Sequence, residues 1–300
     1  MRSWIYLATL LVIVGALGAW VYYKPKTSEH TSHALSTLIA SDVKRARFER
    51  VSTPRTAQSA DTQQPTTTTS VISLERIEGQ WRMTAPIAAR TDKFQIDRLF
   101  SILEARSTVR YPATDLARFG LEQPLATLTV EDQTFAFGAI NKTTREQYVM
   151  THNEVYLVAP AYGAALPRNA DALLARQLLA ANEMPVRFDL PGFTLALEDG
   201  TWAVAPAAPD LSADDRSAWV ESWRQASAMS VAAHSGGTAA QDIRIELKDG
   251  RILHLGIVKR EPELVLLRAD EGVQYLFVPD IAKRLMSPPG ANRSTDAVNK

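Results

Sequence analysis

The chain has 300 residues, of which 46% are hydrophobic, and its 33 basic side chains balance its 33 acidic ones. Nucleic-acid binders normally carry a basic excess that neutralises phosphate, so this balance argues against that class. The sequence contains no cysteine, which excludes disulfides, thiolate metal sites, cysteine nucleophiles and a lipid-modified cysteine.

Residues 4–23, which follow a short tail (1–3), predict a transmembrane anchor. The segment holds no charged residue, and aromatic side chains stand at both ends, where the headgroup layer would lie. Twenty helical residues at about 1.5 Å each span about 30 Å, the thickness of the hydrocarbon core. A cleaved signal peptide is an alternative, but the apolar run continues past the small residues at 16–18. A buried core helix is disfavoured because apolar residues cover every face.

The charges around this segment leave its orientation open. Arg2 precedes the segment and Lys24 and Lys26 follow it, so the positive-inside count is nearly even. We expect a cytoplasmic N-terminus and a linker over 24–40, with the bulk of the chain on the periplasmic side of the cell inner membrane. A domain that resisted added protease while the membrane of spheroplasts was intact would contradict this orientation.

An internal repeat begins with two similar hairpins, at residues 72–86 and 193–206. Each has an alternating apolar strand, an acidic residue and a glycine at the turn, a tryptophan-led strand and a proline. The markers of the first copy are Gly79, Trp81 and Pro86, and those of the second are Gly200, Trp202 and Pro206.

A helix is predicted after each proline. Thr91 or Asp92 can cap the first helix, and Ser212 or Asp214 can cap the second. Apolar residues then follow at helical spacing: Ile96, Leu99, Phe100 and Leu103 in the first copy, and Trp219, Val220 and Trp223 in the second.

Further strands complete each copy. Alternating apolar residues predict an early strand in each, over 43–51 and 186–190, and later strands correspond between 127–138 and 244–256, and between 155–160 and 274–279. The later markers are Gly138, Tyr156 and Pro160 in the first copy, and Gly256, Tyr275 and Pro279 in the second.

The two copies predict an α+β fold with two tandem lobes, over residues 41–168 and 184–286. Each lobe is expected to be a mainly antiparallel sheet with packed helices. A helix over 169–183 is expected to bridge them. The Thr-rich stretch 52–70 lacks apolar residues to bury and is expected to be a mobile insertion, and the tail 287–300 is expected to be disordered.

Four motifs carry a resemblance to a known family: GQWRMTAP at 79–86, RFGLEQPLATLTV at 118–130, FAFG at 135–138 and EVYLVAP at 154–160. In their order the chain resembles, over roughly residues 40–286, the bacterial membrane-anchored family catalogued as domain of unknown function 4340. The resemblance implies a single-pass inner-membrane protein with an extracytoplasmic domain, often found beside gliding-motility-type ABC transporter components. It implies no catalytic residue.

The chain departs from the family pattern in three places. Thr91-Asp92 replaces the usual Ala-Asp before the first helix, and the insertion at 52–70 is unusually long. The second copy also lacks the Phe-Gly-Leu-x-x-Pro signature of residues 119–124.

The five histidines are candidates for metal binding or acid–base chemistry. His30 and His33 form an E-H-x-x-H pattern with Glu29, but a metal site needs three or four ligands on a preorganised scaffold, and this segment has the composition of a polar linker. His152 is expected in a solvated turn, and His254 at an outward-facing strand position.

Two other pairs resemble catalytic groups. His234 precedes Ser235, but adjacent loop residues rarely hold the geometry that a nucleophile and its base need. Asp214 and Asp215 resemble a carboxylate pair, but they lie where helix-capping acids belong.

Trp81 and Trp202 could stack on a sugar, although their repeated position favours core packing. The sequons at Asn141 and Asn292 matter only in a glycosylating pathway. No nucleotide-binding or hydrolase motif occurs. We therefore expect no catalytic, metal-binding or cofactor-binding residue and no cofactor.

Two functional hypotheses follow. The first is a non-enzymatic accessory subunit of a membrane complex of the ABC-transporter type, held in membrane lipid through residues 4–23. The second is an extracytoplasmic small-ligand or glycan binder that uses the cleft between the lobes. An enzyme comes third, and no nucleic-acid partner is expected.

Overall fold

The computed structural model of the protein describes residues 32–52, 68–207, 211–236 and 239–290. The predicted anchor over residues 4–23 lies outside this part of the chain. Within the described ranges, no helix has both the length and the apolar character needed to cross a membrane.

The first half of the chain contains a nine-stranded antiparallel sheet and a separate two-stranded pair. The strands are β1 (His33–Ala34), β2 (Arg45–Ser52), β3 (Thr68–Ile77), β4 (Gln80–Ala85), β5 (Ala89–Arg90), β6 (Arg106–Ser107), β7 (Arg110–Pro112), β8 (Ala126–Val130), β9 (Gln133–Ile140), β10 (Gln147–Thr151) and β11 (Glu154–Val158). The sheet has the order β5-β4-β3-β2-β8-β9-β10-β11-β7, and β1 pairs with β6.

Short helices cover this sheet: α1 (Lys93–Phe100), α2 (Ala161–Ala164) and 3-10 turns at Ser101–Glu104 and Leu116–Phe119. Asp92 caps α1, because its side chain accepts the backbone N–H of Gln95 at 3.1 Å. The apolar stripe of α1 is buried against the sheet, as the helical spacing predicted.

The second half forms an eight-stranded antiparallel sheet. Its strands are β12 (Pro185–Leu190), β13 (Phe193–Glu198), β14 (Thr201–Ala205), β15 (Ser230–Ala233), β16 (Gln241–Leu247), β17 (Ile252–Lys259), β18 (Leu264–Arg268) and β19 (Val273–Phe277), in the order β14-β13-β12-β16-β17-β18-β19-β15. Two helices accompany it, α3 (Ala213–Arg224) and α4 (Pro279–Met286). The predicted α+β class with mainly antiparallel sheet is confirmed, and the described part of the chain contains few helices.

Apart from β5, the strands of the first sheet occur in the same spatial order as those of the second. Phe48 on β2 lies opposite Ile72 on one side and Leu128 on the other. On β12, Phe188 has equivalent neighbours, Leu195 and Ile245. Each phenylalanine is fully buried at the centre of its sheet.

The two hairpin turns also share one backbone geometry. Glu78 and Gly79 have φ of 51° and 79°, and Asp199 and Gly200 have φ of 47° and 80°. Two consecutive left-handed residues are what a two-residue turn between twisted antiparallel strands requires, and glycine adopts this conformation without a Cβ clash.

A single contiguous cluster of buried apolar side chains extends through both sheets. In the second half it includes the aromatic group of Phe188, Trp219 and Trp223, whose ring centroids are 5.1 to 5.8 Å apart. The indole N–H groups of the two tryptophans donate to the carbonyls of Ser287 and Leu285, so their polar atoms are satisfied.

The predicted bridging helix over residues 169–183 is wrong, because only Ala170–Leu173 form a 3-10 turn there. Bonds to both sheets hold the rest of the segment in an irregular conformation. Ala175 donates its N–H to the carbonyl of Arg90, and Leu178 donates to that of Ala226. Tertiary contacts therefore override the helical composition.

Three predicted boundaries also change. β3 begins at Thr68, so the insertion predicted at 52–70 is shorter, and residues 53–67 lie outside the described part. The linker predicted at 24–40 joins the fold at β1, and Leu35 is buried. Pro289 is buried as well, so the tail predicted as disordered from 287 is packed as far as Gly290.

Candidate functional site

A groove of about 870 Å³ lies beside the connection between the two sheets. Its walls come from the turn and start of β4, from α1, and from the irregular segment that follows Leu174. Residues of the early segment, Ala40 and Ser41, close one end. A second hollow of about 490 Å³ lies on the other side of Phe94, between α1 and α2.

Aromatic side chains form the apolar part of this groove. Trp81, the second residue of β4, is half-buried, and its ring centroid lies 4.8 Å from that of Phe100 on α1. The hydroxyl of Thr91 donates to the carbonyl of Trp81 at 2.7 Å, which ties the start of α1 to the strand. Phe94 projects from α1 with 66% of its surface exposed.

Behind the groove, Arg90 joins the two halves of the chain. Its Nε donates to Glu271 at 2.5 Å, and its Nη2 donates to the hydroxyl of Tyr275 at 3.0 Å. The same nitrogen reaches the carbonyls of Gln177 and Leu178 at 3.2 and 3.0 Å. Arg90 therefore fixes the groove wall to the second sheet.

Arg268, the last residue of β18, contacts the same segment and the same acidic side chains as Arg90. It forms two bonds to Glu183, at 2.5 and 2.9 Å, and one to the carbonyl of Leu178 at 2.8 Å. The side chains of Arg268, Glu183 and Glu271 are 2 to 3% exposed. We call Arg90, Glu183, Arg268 and Glu271 the junction cluster; its two positive and two negative charges balance.

The pKa values of Glu183 and Arg268 shift in the direction that favours their charged forms. Burial on its own raises the pKa of the Glu183 carboxyl, but hydrogen bonds and the positive charge of Arg268 outweigh burial and hold it below its usual range. Burial lowers the pKa of Arg268, yet its bonds to Glu183 and Asp270 raise it overall. Burial raises the pKa of Tyr275. Glu183 and Arg268 therefore stay ionised at neutral pH, and Tyr275 stays protonated, so these side chains act as structural groups.

A smaller cluster of titratable side chains lies where β11 pairs with β7. The hydroxyl of Tyr156 donates to Glu154 at 2.6 Å, and Arg110 lies 3.2 Å from the same carboxylate. Burial, followed by the bond to Glu154, raises the pKa of Tyr156 to about 12. The phenol is therefore protonated at neutral pH and unsuited to act as a base there.

The histidines are dispersed. His33 lies on β1, while Glu29 and His30 are outside the described residues. His152 occupies an exposed turn, and the ring of His254, exposed as predicted, lies 2.9 Å from Asp242. Over the described ranges, no three His, Asp or Glu side chains are grouped as a metal ion would need.

The other predicted pairs have structural partners. His234 contacts the amide of Gln274 at 2.6 Å, and no hydrogen bond joins it to Ser235 among the described residues. Ser212 caps α3 in a reciprocal box with Asp215, and Asp214 lies in the first turn. These acids therefore lie at the helix N-terminus, where they complement its dipole.

The repeat markers occupy equivalent places in the two sheets. Trp81 and Trp202 are the second residues of β4 and β14, and Pro86 and Pro206 follow these strands through cis peptide bonds. Gly138 and Gly256 lie within β9 and β17, Tyr156 and Tyr275 within β11 and β19, and Pro160 and Pro279 at the starts of α2 and α4. The side chain of Asn141 bonds the Tyr148 hydroxyl, and Asn292 is outside the described residues.

Sequence reasoning missed the junction cluster and the exposure of Phe94. One signal for the cluster was present: the alternation of β18 places Arg268 on the same face as the buried Leu264 and Leu266. A charge at an inward strand position implies a buried partner. Nothing in the local sequence identifies Glu183 or Arg90 as those partners, because the contacts join distant segments.

Comparison with known proteins gives a family and no function. The profile of a family described as "Domain of unknown function (DUF4340)" matches residues 81–232, which is half of the chain. The match begins at Trp81 and ends in β15, so it includes parts of both sheets and of the groove. No curated protein and no solved structure matches the chain.

Proposed function

The chain belongs to the DUF4340 family, and we propose that it acts as a membrane-anchored, extracytoplasmic interaction module. In this proposal it is a non-enzymatic accessory subunit of an ABC-transporter-type membrane complex, with two lobes that are copies of one unit. The apolar segment at residues 4–23 supports the anchor, and the shared order of strands supports the duplication.

The observation that carries the proposal is the state of the side chains around the groove. Several charged groups of the groove lining have partners within the protein: Arg90 bonds Glu271, Asp92 caps α1, and Lys93 pairs with Asp97. The rest of the lining combines aromatic and aliphatic side chains with the guanidinium groups of Arg76 and Arg176, two glutamines, two serines and Glu104. Such a combination is typical of the anchor positions in protein interfaces, where aromatic side chains and arginine contribute most of the binding energy.

Site-specific cross-linking in native membranes tests this proposal. The full chain contains no cysteine, so Gln80→Cys places one thiol, and one benzophenone cross-linker, at the exposed wall of the groove. Lys142→Cys, in an exposed turn of the first sheet, is the matched control. We expect a discrete adduct with a membrane protein from position 80 and not from position 142. Absence of any adduct, or the same adducts from both positions, would contradict the proposal.

A second candidate function is binding of a glycan or other small extracytoplasmic ligand in the same groove. The specific observation in its favour is Trp81, whose ring lines a groove large enough for a small ligand, with Gln80 and Gln177 beside it. Trp202, its counterpart on β14, provides a control because it packs 6.1 Å from Phe188 in the second sheet.

Titration of the full chain in nanodiscs with peptidoglycan-derived oligosaccharides separates this function from the first. We expect a change in tryptophan fluorescence that Trp81→Phe abolishes and Trp202→Phe retains. A saccharide response that survives Trp81→Phe, or no response at all, would remove this candidate.

A further inference from the structure

We propose that the rim of the groove rests on the lipid headgroup layer of the bilayer that holds the anchor, with Ile39 and Phe94 inserted into it. This inference rests on the proposed function, since it requires residues 4–23 to lie in the membrane. It adds that the groove opens at the membrane surface, so that its partner is met there.

The first argument is the exposure of two apolar side chains: Phe94, which lines the groove, and Ile39, the chain neighbour of the lining residue Ala40. Ile39 is 63% exposed and Phe94 66%, the highest values among the large apolar side chains of the described residues. Ala40, next to Ile39, lines the same groove as Phe94. Exposed large apolar side chains next to a groove indicate an interaction surface. Apolar side chains on the surface of a membrane-bound protein insert at the boundary between headgroups and acyl chains.

The second argument is the point at which the chain enters the fold. Ser32, the first described residue, accepts hydrogen bonds from Arg106 through its hydroxyl and its carbonyl. The N–H of Leu35 donates to the carbonyl of Ala105, which follows Glu104 of the groove wall. The entry point therefore lies against the groove.

The length of the connecting chain then limits how far the groove can be from the bilayer. Only residues 24–31 separate the predicted anchor from the fold. Eight residues reach at most about 29 Å when fully extended. A groove next to the entry point is therefore held near the bilayer, which favours this end of the molecule as the one that faces the membrane.

The third argument is the charge at this rim. Arg176 has no acidic partner among the described residues, and Arg76 donates only to backbone carbonyls. The guanidinium of Arg98 lies 5.9 Å above the ring of Phe94. Three acids, Asp92, Asp97 and Glu104, also line the groove. Arginines that have no acidic partner among the described residues can bind the phosphate groups at a bilayer surface, next to apolar side chains that insert into it.

Fluorescence quenching by lipid tests the proposal on the full chain. Ile39→Cys and Phe94→Cys each carry one environment-sensitive label, and Ile252→Cys is the control, because that side chain is 42% exposed in the second sheet. The three labelled chains are reconstituted in nanodiscs of phosphatidylcholine and phosphatidylglycerol, with and without spin-labelled lipid. We expect blue-shifted emission and severalfold greater quenching at positions 39 and 94 than at 252. Equal quenching at the three positions would overturn the inference.

Failure of the inference is distinguishable from failure of the proposed function. If the chain is released from native membranes by alkaline extraction, the anchor itself is wrong and both proposals fail. If the chain stays in the bilayer and the labels at 39 and 94 remain as accessible as that at 252, only the membrane contact is overturned.

Discussion

Among single residues, Arg268 is a buried charge that depends on buried partners. Its guanidinium forms bonds to Glu183, Asp270 and the carbonyl of Leu178, and its side chain is almost fully buried. A buried ion pair adds little net stability compared with an apolar replacement of both partners, but removing one partner leaves the other charge in a poorly solvating interior. The junction cluster therefore specifies the geometry of the joint more than it stabilises the fold.

We expect Arg268→Met to lower the free energy of unfolding by about 3–5 kcal/mol, because Glu183 is left buried without its main partner. Arg251→Met is the control: Arg251 lies 3.7 Å from the same carboxylate but is half-exposed, so its loss should cost about 0–1 kcal/mol. Urea unfolding of the full chain in detergent measures both. If the two variants lose the same unfolding free energy, burial of the ion pair does not explain the contribution of Arg268 to stability.

The pH dependence of this variant has a defined sign. In the wild type the pKa of Glu183 is held below its unfolded value, so its contribution is present above the unfolded pKa and is lost as the pH falls through the folded pKa. Without Arg268, burial raises the pKa of Glu183, and the ionised carboxylate becomes destabilising at neutral pH. The stability gap between variant and wild type should therefore narrow as the pH falls from about 7 to about 4. A constant gap would show that Glu183 is not responsible.

Gly138 provides a second test at this scale. A Cβ at this position would lie 2.4 Å from the carbonyl oxygen of Phe119 and 2.8 Å from the side chain of Leu121. Because the first contact is with backbone, Gly138→Ala should cost about 1–3 kcal/mol of unfolding free energy. Thr134→Ala, on the exposed face of the same strand, should stay within about 0.5 kcal/mol. Thermal unfolding compares the stability of the two variants. A Gly138→Ala protein as stable as the wild type would contradict the predicted clash with the carbonyl of Phe119.

At the scale of elements, α3 shows how local and tertiary signals agree. Its capping box satisfies N–H groups at the helix start, and Trp219 and Trp223 lie one turn apart on the buried face. The segment that was expected to bridge the lobes as a helix shows the opposite. Its composition favours a helix, but hydrogen bonds to Arg90 on one side and Ala226 on the other hold it in an irregular conformation.

Replacement of the N-cap residue of α3 measures how much this local capping interaction contributes to the stability of the protein. Ser212→Ala removes the acceptor for the N–H of Asp215 and should cost about 1 kcal/mol of unfolding free energy. Ser217→Ala, in the exposed middle of the helix, should be neutral or stabilise by about 0.5 kcal/mol, because alanine is the better helix former. The effects have opposite signs, so equal destabilisation in chemical denaturation would contradict the assignment of the cap.

At the scale of the molecule, the two sheets share one apolar core and one buried charge cluster. Separate lobes with an exposed, polar interface would move and unfold independently. Here the contacts between the halves are buried, so the described part of the chain is expected to unfold as one cooperative unit.

Two probes in different sheets can test that cooperativity. In a chain in which Trp4, Trp20 and Trp81 are replaced by phenylalanine, tryptophan emission comes from Trp202, Trp219 and Trp223 and reports on the second sheet and its helix α3. A dye on Thr134→Cys reports on the first sheet. We expect the two urea transitions to coincide in the otherwise unchanged chain. Arg90→Leu, which removes the bond to Glu271, should lower both midpoints more than Arg82→Leu, whose closest approach to that carboxylate is 3.8 Å. Separate transitions without Arg90→Leu would show that the halves are independent.

The sequence by itself determined the local structure and the family. Alternation, turn glycines and helix caps are local signals, so the hairpins ending at Pro86 and Pro206 and the helices after them were predicted close to their observed bounds. The strands β7, β10, β15 and β18 were not among those predicted. The anchor and the accessory role stay predictions.

Tertiary structure alone decided the joint between the halves and the groove. Glu183 lies 85 residues from Arg268, and Arg90 lies 181 residues from Glu271, and neither pair has a spacing that a sequence pattern could reveal. The exposure of Phe94 was equally hidden, since a phenylalanine in an amphipathic helix is as compatible with a core position as with a surface one. Local patterns are fixed by neighbours along the chain, whereas a buried charge pair and an open groove depend on which distant surfaces meet.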